Sequence, residues 1–205
     1  MELEVTPVFP TLIGQLRVPD SDAMNQELRE LILAEETKHV SMGRSNIGGW
    51  HSRADFLNGS EASVGALTAW ITWAVKHMVD ASAGSGVFNG TISLSAWATT
   101  CRDGAYHAPH SHPDSAWSGV YYVDPGVGNP GRPLSGVLEF LDPRASGPRQ
   151  LGDRAGLSLP PTHMPDNVQN FRPNSYATYR LRSGRTTALQ RSRDIPLAAF
   201  ALSIN

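Results

Sequence analysis

The spacing of apolar residues changes along the chain, from a helical period in the first part to a strand period in the second. After the turn-forming residues 19–22, apolar positions at i, i+4, i+7 and i+8 predict an amphipathic helix. Its apolar stripe consists of Met24, Leu28, Leu31 and Ile32. A second helix is predicted from Ser60 by another stripe, formed by Leu67, Trp70, Ile71, Ala74 and Met78. The first part of the chain is therefore expected to be mostly helical.

Beyond residue 90 the apolar positions follow a period of two, which is typical of half-buried strands. Segments rich in proline and glycine separate these runs, and the longest of them, Pro143–Asn174, contains six prolines. So long a loop is often functional or flexible. The strand candidates are residues 92–99, 117–123, 136–142, 176–181 and 195–204, and residues 5–18 are also expected to be extended. Residues 41–57 and 126–133 are predicted to be loops.

This order of elements predicts the α+β class, with helices supporting one face of a β-sandwich or barrel. The helices are too few to form a stable core without the sheet, so a single domain over residues 1–205 is expected. Within it, residues 1–90 are assigned to a helical support and residues 91–205 to a β-barrel core.

Composition excludes several classes of protein. A formal net charge of −2 provides no basic surface for nucleic acid or anionic lipid. No apolar run approaches the length that spans a membrane, and the first residues lack the basic region of a secretory signal. The one cysteine, Cys101, excludes an internal disulfide framework and fits a reducing cytosol. A globular, cytoplasmic protein is therefore expected.

The strongest chemical signal is a group of histidines, with His107, His110 and His112 within six positions. Side chains at i and i+2 of a strand point to the same face, so His110 and His112 are able to reach one point in space if the segment is extended. Two neutral imidazoles suit a first-row transition metal such as Fe, Zn, Cu or Ni. His51 is a weaker candidate ligand, and Trp50 and Trp97 are expected to pack in the core.

The segment from His110 to Val123 reads HSHPDSAWSGVYYV and resembles the motif HxHPxSxxSGVYYV of a bacterial family of 2-oxoglutarate/Fe(II)-dependent oxygenases. Three flanking segments resemble the same family in order and spacing. They are SNIGGWHS at residues 45–52, SAWA at residues 95–98 and GVLEFLDPR at residues 136–144. The resemblance covers roughly residues 8–145.

The resemblance implies a double-stranded β-helix, also called a jelly roll or cupin-like barrel. It implies Fe(II) bound by His110, His112 and a later histidine, with 2-oxoglutarate as co-substrate. The implied reaction uses dioxygen, decarboxylates 2-oxoglutarate to succinate and hydroxylates a C–H bond of a second substrate. Tyr122 is a candidate to contact the co-substrate, and Arg193 lies nearest to the arginine that binds its far carboxylate in the family, with Arg191 and Arg185 behind it.

The sequence departs from the family near its C-terminal end, where no histidine follows His163. The identity of the third iron ligand is therefore an open question. The candidates are His163 in the long loop and Asp114 or His107 near the pair. If none of them binds, the site would hold iron only weakly. His107 or Ser118 is a candidate to orient the two ligands by a hydrogen bond.

Two other functions stay open at this point. Gly104 followed by His110 and His112 also matches the opening of the cupin metal motif, but residues 116–118 lack the glutamate that this motif requires. The third possibility is a non-catalytic barrel whose iron site is incomplete. The substrate is expected to be a small molecule or a peptide. A homodimer that covers an open sheet edge is a further possibility.

Overall fold

The computed structural model describes residues 12–102, 104–112, 115–126, 131, 136, 138–141, 168–171, 176–181 and 187–191, and from residue 139 on it describes the backbone alone. Both predicted helices are present. Helix α1 spans Asp22–Lys38 and helix α2 spans Ala62–Ala83. Among the described residues, no helix is long and apolar enough to cross a membrane.

The apolar stripes predicted on the helices form their buried faces. In α1, Leu28 and Ile32 are fully buried, while Met24 and Leu31 pack at the edge of the core. In α2 the stripe of Leu67, Ile71 and Ala74 is buried, and it extends to Val64 and Val75. Helix α2 is followed by the capping residue Gly84, whose φ of 94° lies in a region that favours glycine.

The described strands form three antiparallel sheets. In chain order the strands are β1 Ile13–Arg17, β2 Asn46–Ile47, β3 Trp50–His51, β4 Thr99–Thr100, β5 Tyr106–His110, β6 Trp117–Tyr121, β7 Leu138–Leu141, β8 Val168–Phe171, β9 Tyr176–Leu181 and β10 Thr187–Arg191. One sheet has the order β1-β9-β6, a second has β2-β5-β10-β7-β8, and β3 pairs with β4. From β5 onward, the chain crosses between the two larger sheets after β5, β6, β8 and β9.

The core joins the helices to the sheets. Trp117, Tyr121 and Val123, on β6 and just after it, are buried together with the apolar faces of both helices. The hydroxyl of Tyr121 donates a hydrogen bond of 2.6 Å to the side chain of Asn25 in α1. Both helices therefore support the sheet that contains β6, as the α+β prediction requires.

Three predicted elements differ from the structure. Residues 92–99 are not a strand: Ala96 forms an isolated bridge with Asp55, and β4 begins at Thr99. The reason is that the backbone groups of residues 96–98 bond to Ser52 and Phe56 individually and form no continuous ladder. The predicted loop over residues 41–57 contains β2 and β3, and the predicted irregular segment Pro143–Asn174 contains β8.

The strands at 117–123, 136–142 and 176–181 are confirmed in outline by β6, β7 and β9. Strand β10 was not predicted. The predicted strand at 195–204 lies outside the described residues, as do Asp114, His163, Arg185 and Arg193.

Candidate active site

Strand β5 carries two of the clustered histidines and contains an irregularity that brings them to one side. It pairs with β10, and the register is Ala188 opposite His110 but Gln190 opposite His107. An advance of two residues on β10 therefore corresponds to an advance of three residues on β5, which is characteristic of a β-bulge. In a regular strand, positions three apart point to opposite faces. Here the rings of His107 and His110 have centroids 6.3 Å apart.

His110 and His112 also lie together, although not as two positions of one strand. Strand β5 ends at His110, so His112 follows two residues after its end. The ring centroids of the two residues are 4.9 Å apart and the rings are nearly perpendicular, at 87°. Two imidazoles bound at adjacent positions of one metal, with metal–nitrogen distances of about 2.1 Å, place their centroids about 4.5–5 Å apart. The observed spacing fits such a pair.

The hydrogen bonds of His110 leave one nitrogen available. Its Nδ1 lies 2.8 Å from the carbonyl oxygen of Ala108, so Nδ1–H donates to that oxygen and Nε2 carries the free lone pair. His112 has its pKa lowered to about 4, mainly by burial and then by the nearby His110 and His51. Its imidazole is therefore neutral at pH 7, which is the form that binds a metal.

The described residues supply two donors and no third. Among them, no group of three or more His, Cys, Asp or Glu side chains is arranged to bind one metal ion. On the neighbouring strand the residue opposite His110 is Ala188, whose side chain has no donor atom. Iron therefore fits the His110–His112 pair as two ligands, and any third ligand from this chain must come from outside the described residues or from a rearranged side chain.

His107 is the most enclosed histidine of the group, with 5% of its surface exposed. Its Nδ1 lies 3.4 Å from the hydroxyl of Ser45, while its Nε2 is buried and has no hydrogen-bond partner among the described residues. Burial, followed by the charges of His110 and His51, lowers the pKa of His107 to about 4. A buried polar atom without a partner is costly, so this nitrogen is a local cost to stability in the metal-free protein.

His51 and Trp97 complete the surroundings of the pair. His51 is buried on β3, and its Nδ1 donates to the carbonyl oxygen of Ser52 at 2.6 Å. Its ring stacks on Trp97 with centroids 5.4 Å apart, and the Trp97 ring lies 5.5 Å from that of His112. Sequence reasoning gave His51 little weight as a functional residue. It stands in the SNIGGWHS segment that resembles the oxygenase family, but at a position that this resemblance leaves variable, so no feature of the sequence identified it.

The tyrosines separate by environment. Tyr121 faces α1 through its bond to Asn25, and burial raises its pKa. Tyr122 is the next residue along the chain and is almost fully buried, whereas Tyr106 is 40% exposed. Ser118 is half-buried on β6. Of the candidate arginines only Arg191 is in a described element, as the last residue of β10.

Comparison with known proteins agrees with the resemblance inferred from the sequence. Residues 95–179 match the model of a family described as "Putative 2OG-Fe(II) oxygenase". Those residues include β5, β6 and the His110–His112 pair. No curated protein sequence matches the chain significantly.

A solved structure with a similar fold is the crystal structure of a Pseudomonas putida prolyl-4-hydroxylase. The TM-score is 0.61, and the match covers 93% of this chain and 90% of that chain, with 12% sequence identity. At this identity the likeness concerns the fold alone. The family match itself supports an oxidoreductase of the dioxygenase class. Over residues 95–179, the chain thus carries the sequence pattern of the 2-oxoglutarate/Fe(II) oxygenase family.

Proposed function

We propose that this protein is an Fe(II)- and 2-oxoglutarate-dependent dioxygenase that hydroxylates a small-molecule or peptide substrate. The observation that carries the proposal is the placement of His110 and His112, whose ring spacing of 4.9 Å suits two ligands of one metal. This pair lies inside the segment that matches the oxygenase family.

The proposed architecture is a double-stranded β-helix. Support comes from the strand order, since β5-β10-β7-β8 lie in one antiparallel sheet while β6 and β9 pair in another. From β5 onward the chain changes sheet after β5, β6, β8 and β9, as in a jelly roll built from two antiparallel sheets. The structural likeness to the prolyl-4-hydroxylase is consistent with this architecture.

Each proposed residue role follows from chemistry and position. His110 and His112 hold the metal through neutral imidazole nitrogens. Tyr122 and Arg193 contact 2-oxoglutarate, because a guanidinium and a phenol are suitable partners for its carboxylate. His163, in the long segment after β7, is the candidate third ligand. Bound iron would supply redox chemistry in which dioxygen is the oxidant and 2-oxoglutarate and the substrate each give up two electrons, while the protein orients the substrate and excludes water.

One observation favours a second candidate function, a non-catalytic barrel with an impaired iron site. Ala188 lies opposite His110 in the register, so the adjacent strand offers no donor at that position. Two imidazoles alone bind Fe(II) weakly. A metal-binding cupin of different chemistry is the weaker alternative, because residues 116–118 contain no glutamate.

Anaerobic calorimetric titration of Fe(II), with and without 2-oxoglutarate, distinguishes these functions. The dioxygenase proposal predicts tight binding that strengthens with 2-oxoglutarate and is lost in His110→Ala. Equal and weak heats in the wild type and in His110→Ala would support the non-catalytic barrel. Binding that is tight, requires His110 and does not respond to 2-oxoglutarate would favour the cupin.

A further inference from the structure

The two histidines of the proposed metal pair are held in different ways. His110 is on β5, and its Nδ1 donates to the carbonyl oxygen of Ala108 at 2.8 Å. His112 lies two residues beyond the end of β5, and within the described part of the chain no hydrogen bond involves its ring. A histidine that binds a metal usually has its second nitrogen hydrogen-bonded, which fixes the direction of the ring. Among the described residues, the orientation of the His112 ring therefore depends on contacts with other rings.

Two aromatic contacts meet the His112 ring. Its centroid lies 5.5 Å from that of Trp97, with 44° between the ring planes, and 4.9 Å from that of His110, with 87° between the planes. Both separations are in the range of favourable aromatic pairs. Since His110 is the other proposed ligand, Trp97 provides the contact from outside the pair.

Trp97 is fixed by its backbone neighbours, although it is only half-buried and is not part of the described core that joins the helices to the sheets. Ala96 and Ala98, on either side of it, are fully buried. The carbonyl oxygen of Ala96 accepts a 3.1 Å bond from the Phe56 N–H. Ala98 exchanges two bonds of 2.9 Å with Ser52, one to its hydroxyl and one from its backbone N–H. The indole therefore projects from an anchored segment.

His51 packs against the same indole. The two centroids are 5.4 Å apart and the rings are nearly parallel, at 17°. His51 is buried and held at both ends, because its Nδ1 donates to the carbonyl oxygen of Ser52 at 2.6 Å and its backbone N–H donates to the Ser41 hydroxyl at 3.1 Å. The rings of His51, Trp97 and His112 thus form a row that starts from a fixed residue and ends at a proposed ligand.

We propose that Trp97, supported by His51, is a positioning residue that fixes the His112 imidazole in the orientation that metal binding requires. A tryptophan side chain is large and has few rotatable bonds, so its contact restricts the neighbouring ring. A ligand ring that is ordered before the metal arrives loses less freedom on binding, and the affinity rises accordingly. The inference rests on the proposed function, since it takes His110 and His112 as the metal ligands, and it adds a residue that acts through one of them.

NMR spectroscopy of the metal-free protein in neutral solution tests the contact itself. In the wild type, nuclear Overhauser effects are expected between the rings of Trp97 and His112, and this measurement needs no substitution that could impair folding. Trp97→Leu removes the ring current of the indole, so the His112 ring resonances should move toward their random-coil positions. The matched control is Trp73→Leu on α2, because Trp73 contacts His77 with centroids 3.8 Å apart. This control should move the His77 resonances and leave those of His112 in place.

Calorimetric titration of Zn(II) tests the consequence for metal binding. Trp97→Leu is expected to raise the dissociation constant about tenfold, which is typical when the group that orients a ligand is lost. Trp97→Phe keeps an aromatic ring at the position and is expected to bind closer to the wild type than to Trp97→Leu. Trp73→Leu is expected to bind as the wild type does.

Three results would overturn the inference alone. They are an absence of Overhauser effects between the two rings in the wild type, His112 resonances that do not move in Trp97→Leu, and equal Zn(II) affinities of the wild type and Trp97→Leu. A wild type that binds no Zn(II) would overturn both the inference and the proposed iron site. Weaker Zn(II) binding by Trp97→Leu supports the inference even if the wild type forms no succinate from 2-oxoglutarate, so failure of the proposed function is a separate outcome.

Discussion

Acidification is expected to destabilise the metal-free protein through its buried histidines, and His107 allows the size of the effect to be worked out. Its pKa is lowered from 6.5 to about 4 in the folded protein. Between these values the unfolded chain binds about one proton more than the folded chain, so the free energy of unfolding falls as the pH falls. From pH 6.5 to pH 5 the loss is about 1.36 kcal/mol per pH unit, or about 2 kcal/mol in all.

Urea denaturation at about pH 7.5 and about pH 5 measures this loss. His112 has the same lowered pKa of about 4, so the wild type is expected to lose more than His107 accounts for alone. His107→Gln removes one titrating group and should lose about 2 kcal/mol less than the wild type over the same interval. His77, which is exposed on α2, gives the matched control, since His77→Gln should leave the loss unchanged. An identical pH dependence in the wild type and in His107→Gln would refute the reasoning.

Three further predictions concern the third ligand, the core and the thiol. Ala188→His places an imidazole across from His110, so Zn(II) or Fe(II) should bind at least about tenfold more tightly in calorimetry. The control is Thr187→His, one position along the strand and on its other face, which should not change the metal affinity. Leu67→Ala empties a fully buried position and should lower the free energy of unfolding by about 2–5 kcal/mol in urea; a loss under about 1 kcal/mol would mean that the site is not packed as described. Cys101 is buried and its pKa is raised to about 11, so iodoacetamide at pH 8 should label it far more slowly in the folded than in the denatured protein, and equal labelling rates would contradict its burial.

The helices could be predicted from the sequence because their signal is local. The stripe that contains Leu28 and Ile32 has the helical period, and it is the face that the structure buries. Strand β10 had no such signal, since its sequence TALQR has little β-branched or aromatic character. Its conformation depends on pairing with β5 on one side and β7 on the other, and both partners are distant in sequence.

The candidate site was predicted in part for the same reason. His110 and His112 are neighbours in the sequence, so their spacing alone brings them together. His51 comes from elsewhere in the chain, and the pairing of β3 with β4, in which it lies opposite Thr99, places it near the pair. The bulge in β5 that turns His107 toward His110 depends on the register with β10, which periodicity does not reveal.

Conversion of 2-oxoglutarate to succinate tests the central claim most directly. The purified protein is incubated with Fe(II), ascorbate, dioxygen and 2-oxoglutarate, and succinate is measured by mass spectrometry against a protein-free blank. The proposed dioxygenase predicts succinate above the blank for the wild type and none above it for His110→Ala. Succinate at the level of the blank in both proteins, or equal amounts above it in both, would contradict an iron site that depends on His110.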